Sequence, residues 1–330
     1  MTQYDHVFGV DVSKKTVDIT HLHQNDFNHR QFSNDSYGMA ELLNWIDETG
    51  ALSGTVLFCM EATGLYCFTL TQFLTAKSID VWVEHAASIK KATALARGKN
   101  DKVDSQRIAA YAAKYPERVR LWKPVNATLE RIRHLSALRE RLVETKKKLE
   151  VPIKEFEQVG DIVMARLLMK SVKSSLSSID KDLKSIESKI IETVNSDENL
   201  KSLYKLVTSV VGIGFVTAVN LLIYTNGFTM LKDTRKLACY CGVAPFEYSS
   251  GSSVRGKTKV HYMANKKLKC NLHMASLSAV KLDADLKAYY ERKVAEGKNK
   301  MSVLNAVKNK LLARVIAVVN KQQEYVKKAA

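Results

Sequence analysis

A chain of 330 residues, 46% hydrophobic and 26% charged, is long enough for two or three domains and has the make-up of a folded globular protein, which excludes collagen-like and disordered classes. Its five cysteines (Cys59, Cys67, Cys239, Cys241, Cys270) are odd in number and mostly set in apolar or helical runs, so they point to a reducing compartment with no disulfide framework. The formal charge of +17 is unevenly placed: residues 1–110 hold 10 Lys and Arg against 13 Asp and Glu, and the rest hold 41 against 21. A mildly acidic first third joined to a strongly basic body is the layout of a metal-carboxylate site beside a nucleic-acid grip; a basic surface kept for solubility is the competing reading.

No Cys/His pairs stand at zinc-finger spacing, and no apolar run is long enough for a membrane span. Even VLNAVKNKLLARVIAVV is broken by Lys308, Lys310 and Arg314, and a cytoplasmic protein is expected.

In chain order, Val7 to Ile19 (VFGVDVSKKTVDI) reads as a β-strand. Alternation sets Phe8, Val10 and Val12 on one face and Gly9, Asp11 and Ser13 on the other, so Asp11 projects from a core-like strand beside a glycine that leaves space around it. A buried carboxylate needs a cation, a hydrogen-bond network or a role; a strand-end Asp bonding a nearby turn is the ordinary alternative. The polar stretch Gln24 to His29 predicts a turn, and Met39, Leu42, Leu43 and Ile46 recur at helical spacing. Val56 to Met60 is a continuous apolar run, the mark of a central strand covered on both faces. Glu61 follows at its C-terminal end, where open α/β sheets carry their sites. A helix with Leu65, Phe68, Phe73 and Leu74 and a strand from Ile79 to Val83 complete a sheet of at least three strands.

Asp101 and Asp104 stand three apart at a helix start and share a face with Ile108, Tyr111, Ala112 and Tyr115. Capping and the helix dipole explain either acid singly, but not why both lie on the packing face. Four acids directed at one space repel unless a divalent cation sits between them, and hard oxygen ligands point to Mg²⁺ or Mn²⁺. This is the ligand set of an RNase H-like nuclease fold.

Beyond Pro116 the pattern turns helical. Leu129, Ile132, Leu135, Leu138 and Leu142 mark a basic helix, and Val172, Leu176, Ile179, Leu183, Ile186 and Ile190 form a heptad seam. The seam closes a hairpin within the chain or joins chains, and oligomerisation is favoured. Gly212 and Gly214 lie between two apolar helical runs, as in a helix-hairpin-helix whose backbone N–H groups hold phosphate; a tight structural turn fits equally well. CGVAPFEYSSGSSVRGKTK then supplies four serines and the cations Arg255, Lys257 and Lys259 in what reads, taken alone, as a flexible polar loop.

Taken together, GVDVSKKTVD, MEATG, KNDKVDSQRIA, the GIG hairpin and GVAP followed by SSGSSVRGK resemble the transposases of Piv-invertase-related insertion sequences, which include bridge-RNA-guided recombinases. The resemblance covers nearly the whole chain. It implies an α/β RNase H-like (RuvC-like) domain, a helical coiled-coil region mediating assembly and a mainly α C-terminal transposase domain, here 1–115, 116–200 and 201–330. It also implies that Asp11, Glu61, Asp101 and Asp104 bind Mg²⁺ and that Ser250 is the nucleophile. A structured noncoding RNA would pair with donor and target DNA. A Gly and an Arg typical of the family correspond to Asn265 and Lys269; Asn still suits a left-handed turn and Lys keeps the charge.

The expected protein is thus a DNA recombinase acting as a dimer or tetramer. A Holliday-junction nuclease using metal-activated water is the second enzyme reading, and a non-catalytic nucleic-acid scaffold the third.

Overall fold

The computed structural model describes residues 4–92, 100–124, 126–250 and 254–326. Two compact units divide the chain, Met1–Pro124 and Val125–Ala330.

The first unit runs β1 (His6–Val12), β2 (Thr16–His23), β3 (Asp26–Ser33), α1 (Ser36–Glu48), β4 (Val56–Glu61), α2 (Leu65–Ala76), β5 (Asp80–Glu84), α3 (Ala86–Ala92) and α4 (Asp101–Lys114). Its five-stranded sheet has the order β3-β2-β1-β4-β5; β2 lies antiparallel to β1 and β3, while β1, β4 and β5 are parallel. Val7–Ile19 is therefore two strands and not one. Ser13 breaks it: its backbone N–H donates to Thr16 O (2.9 Å) and its hydroxyl accepts from Thr16 N (3.0 Å), closing a turn over Lys14 and Lys15. The turn expected over Gln24–His29 is confined to Gln24 and Asn25, both at positive φ (49° and 71°), and His29 lies inside β3. Two left-handed residues in a row are what a tight hairpin with matching strand twist requires.

Alternation assigns the faces correctly. Phe8, Val10 and Val12 pack with Trp45, Leu70 and Leu74 under α1 and α2, while Val7, Leu57, Cys59 and Trp82 pack with Ile108 and Tyr111 of α4. The apolar run of β4 is thus covered on both sides, as a central strand must be.

The second unit runs α5 (Ala127–Gln158), α6 (Ile162–Asn195), α7 (Glu198–Thr208), α8 (Phe215–Thr225), α9 (Thr234–Tyr240), β6 (Phe246–Ser250), β7 (Val254–Lys259), α10 (Lys266–Leu282), α11 (Ala284–Ala295) and α12 (Lys300–Lys321). The helices α5 and α6 form an antiparallel hairpin, cross-tied by Arg139 Nε to Glu187 Oε1 (2.7 Å) and Lys146 Nζ to Asp180 Oδ1 (2.6 Å). The seam residues Ile186 and Ile190 join Leu129 and Ile132 in a core that extends through α7, α8, α10 and α12. At Ile186 and Ile190 the heptad stripe is therefore occupied within the chain, while Val172, Ile179 and Leu183 stay half-buried. The serine-rich stretch is not simply a loop either: β6 and β7 pair as an antiparallel hairpin, with Ser249 opposite Arg255 and Ser250 opposite Val254. Asn265 adopts φ −67° and not a left-handed turn; it caps α10, its side-chain oxygen accepting from Leu268 N at 3.0 Å.

Candidate active site

Asp11 is the penultimate residue of β1 and half-buried, while Glu61 ends the neighbouring parallel strand β4, also half-buried. Both stand at the C-terminal ends of central strands, where side chains leave the sheet toward solvent. Helix α4 crosses the same sheet face because Gly9 lacks a side chain: a Cβ there would run into the backbone of Ser105 and Ala109. The approach is fastened by Thr20 Oγ1 and Ser105 Oγ, 2.7 Å apart and buried. Asn100 caps α4, accepting from Val103 N at 2.8 Å, which sets Asp101 and Asp104 in its first turn. Asp101 is exposed and Asp104 half-buried, its Oδ1 2.9 Å from Arg107 Nη1.

The electrostatic result is concentrated on Asp11. Burial first, then the charges of Asp101, Asp104, Glu61 and Asp18, push its pKa from 3.8 up to about 6. The three other expected acids thus act on Asp11, as desolvation and like charge must. Among the described residues, no three His, Cys, Asp or Glu side chains are drawn close enough to hold an ion as they stand. The donor set nonetheless fits a hard divalent cation, because carboxylate oxygens are its preferred ligands and the penalty on Asp11 is one that positive charge removes.

Two further acids belong to this face and were not singled out from sequence. Asp18 stands opposite Asp11 on β2, 4% exposed, and accepts from His29 Nε2 and Gln31 Nε2, both at 2.9 Å. Glu84 stands beside Glu61 on β5. The alternation that placed Asp11 also places Asp18, once Val7–Ile19 is split into two strands.

In the second unit, Gly212 has a packing reason: at φ 96°, its Cβ would meet Ala279 Cβ at 2.6 Å and Ala275 O at 2.7 Å on α10. Gly214 caps α8 with no side-chain bond and open space around it. The backbone of Ser250 ends β6, and those of Arg255, Lys257 and Lys259 lie in β7. Their side chains, and Ser252 and Ser253 entirely, lie outside what the structure describes.

The acids thus gather at the central strand ends of a mixed sheet, in a chain whose later, mainly helical part is strongly basic. A family model for DEDD-type transposases of IS110 elements, described as Transposase, matches residues 8–156, and one described as Transposase IS116/IS110/IS902 family matches residues 204–291. The chain belongs to the IS110 family of transposases. It is 25% identical over 323 residues to the pilin gene-inverting proteins of Moraxella lacunata and Moraxella bovis, covering 97% of this chain and 97% of each relative. It is also 28% identical over 138 residues, 42% of this chain and 33% of the relative, to an uncharacterized 43.6 kDa protein of insertion element IS110 from Streptomyces coelicolor. The acid set of a DEDD-type domain implies dependence on a divalent metal.

Proposed function

We propose that Asp11, Glu61, Asp101 and Asp104 hold a divalent cation, Mg²⁺ or Mn²⁺, and that Ser250 is the nucleophile of an RNA-guided exchange of DNA strands. The observation that carries the metal reading is the raised pKa of Asp11, since a carboxyl burdened by four further acids ionises readily once a cation joins them. The sheet order, with the acids on β1, β4 and α4, supports an RNase H-like (RuvC-like) arrangement. When bound, such an ion neutralises charge developing on the phosphoryl oxygens.

Two considerations favour Ser250 over water. The relatives are named for inverting a gene, and an inversion requires that cut strands be rejoined. Attack by the Ser250 hydroxyl on phosphorus forms a phosphoserine bond as the bond to one deoxyribose oxygen breaks. The serine proton passes to a base and the departing oxygen takes up a proton, and reversal reseals a strand without external energy. Arg255, Lys257 and Lys259, with the backbone at Gly212 and Gly214, supply contacts to phosphate. A structured noncoding RNA pairs with donor and target DNA, and the chain works in the cytoplasm as a dimer or tetramer.

Labelled target DNA incubated with protein and guide RNA, then denatured, should yield a DNA–protein adduct. Ser250→Ala should lose it, and Ser249→Ala and Ser252→Ala should retain it. Wild-type protein that cuts freely yet never becomes linked to DNA would make this a hydrolytic nuclease.

A further inference from the structure

Helix α12 carries a lysine where its packing stripe calls for an apolar residue. Val303, Leu304, Val307, Leu311, Leu312 and Val315 recur along its buried face, and Lys308 stands among them, 4% exposed. Two other cations of the helix have partners: Arg314 Nη1 lies 2.7 Å from Asp283 Oδ2, and Lys310 Nζ sits 4.6 Å from the Tyr289 ring centroid. Lys308 has no carboxylate, hydrogen bond or ring among the described residues, and the titratable neighbours that act on it are Lys269 and, with the opposite sign, the Cys270 thiol, both on α10. Burial first, then Lys269, holds its pKa below the usual lysine value. An unpaired ammonium in a core position is destabilising, and a second ammonium beside it adds repulsion.

Snorkelling, in which the stem packs and the head reaches water, explains the stem. It does not explain why the two ammonium groups act on one another with no carboxylate partner for either among the described residues. The surroundings are informative. Asn305, almost one turn before Lys308, donates from Nδ2 to Val243 O at 2.7 Å, and the stem of Lys269 lies against Gly242, its Cδ 3.5 Å from where a Cβ would stand. Both lysines therefore flank the turn that leads into the β6–β7 hairpin.

We propose that Lys308 and Lys269 form an anion site for one backbone phosphate of a nucleic-acid strand, a positioning contact that sets the strand against the β6–β7 hairpin. A phosphodiester supplies the missing negative charge, and two lysines suit it as point charges without demanding one orientation. The inference stands whether or not Ser250 is the nucleophile.

The test uses the full chain with Lys308→Met and Lys269→Gln. Thermal midpoints are measured with inorganic phosphate and with chloride at matched ionic strength, and affinities for duplex DNA and single-stranded RNA are measured across salt. Lys308→Met should melt higher than wild type in chloride and lose the upward shift that phosphate gives wild type. Both variants should bind one of the two nucleic acids several-fold more weakly, with a salt slope shallower by about one. Which nucleic acid responds identifies the strand. Unchanged affinity and slope for both, in both variants, would overturn the proposal, even if the phosphate shift were lost. If Lys308→Met does not fold, Lys269→Gln decides alone, because its half-buried side chain can be shortened without opening the core.

Discussion

At the scale of single residues, the Asp11 carboxyl, raised to about 6 by burial and by Asp101, Asp104, Glu61 and Asp18, links pH to folding. An acid with a raised folded pKa favours the native state fully below its unfolded value; as pH rises through about 4 to 6 that contribution is lost. In metal-free protein, Asp11→Asn should therefore raise the thermal midpoint at about pH 7 and leave it nearly unchanged below about pH 4. Mg²⁺ or Mn²⁺ should raise the wild-type midpoint and not that of Asp11→Asn. Coincident midpoints at neutral pH would show that this carboxyl carries no strain. The comparison must be variant against wild type, because His21 acts with the opposite sign. Burial, then His6 and His23, lower its pKa from 6.5 to about 4, so its contribution is present above 6.5 and lost as pH falls toward 4.

At the scale of elements, the α5–α6 hairpin answers, at one end of the seam, a question that periodicity leaves open. Ile190 is fully buried in a core shared with α5 and the later helices. Ile190→Asp should cost about 3–5 kcal/mol, through lost apolar burial and a desolvated carboxylate, and should reduce cooperative unfolding of the second unit rather than only its assembly. Val163 is 81% exposed near the hairpin turn, and Val163→Asp is the control. It should change stability by less than about 0.5 kcal/mol. Denaturant melts of the two variants check this, and similar melts would mean that the seam is not packed within the chain.

At the scale of the whole molecule, the division of charge separates gripping from cutting. The first 110 residues carry a small acidic excess and the rest a large basic one, so affinity for nucleic acid is expected to come from the basic part and to fall with salt. Chelation with EDTA should abolish strand cleavage and leave binding largely intact. Asp11→Asn, Glu61→Gln and Asp104→Asn should do the same with Mg²⁺ present, each losing cleavage by a factor of at least about 100. Binding by gel shift and cleavage of labelled DNA, run side by side, check this; full cleavage by Asp11→Asn would defeat the metal reading.

Although the stripe expected on α2 fails at Leu65 and Phe68, which are exposed while Cys67 and Leu70 are buried, the sequence by itself determined the parts set by local chemistry: the α1 stripe, the buried run of β4, the placing of Asp11 and Glu61 at strand positions and of Asp101 and Asp104 in a first helical turn. Each follows from side-chain period and capping, which need only near neighbours. Only the tertiary structure decided that Ser13 divides β1 from β2, that Asp18 faces Asp11, and that Glu84 stands beside Glu61. Alternation says which face a residue takes, not which strand lies next to it. The heptad stripe likewise defines a surface without its partner, and at Ile186 and Ile190 that partner is a core shared with α5. Gly9 shows the same limit, because the need for a missing side chain exists only where α4 crosses the sheet.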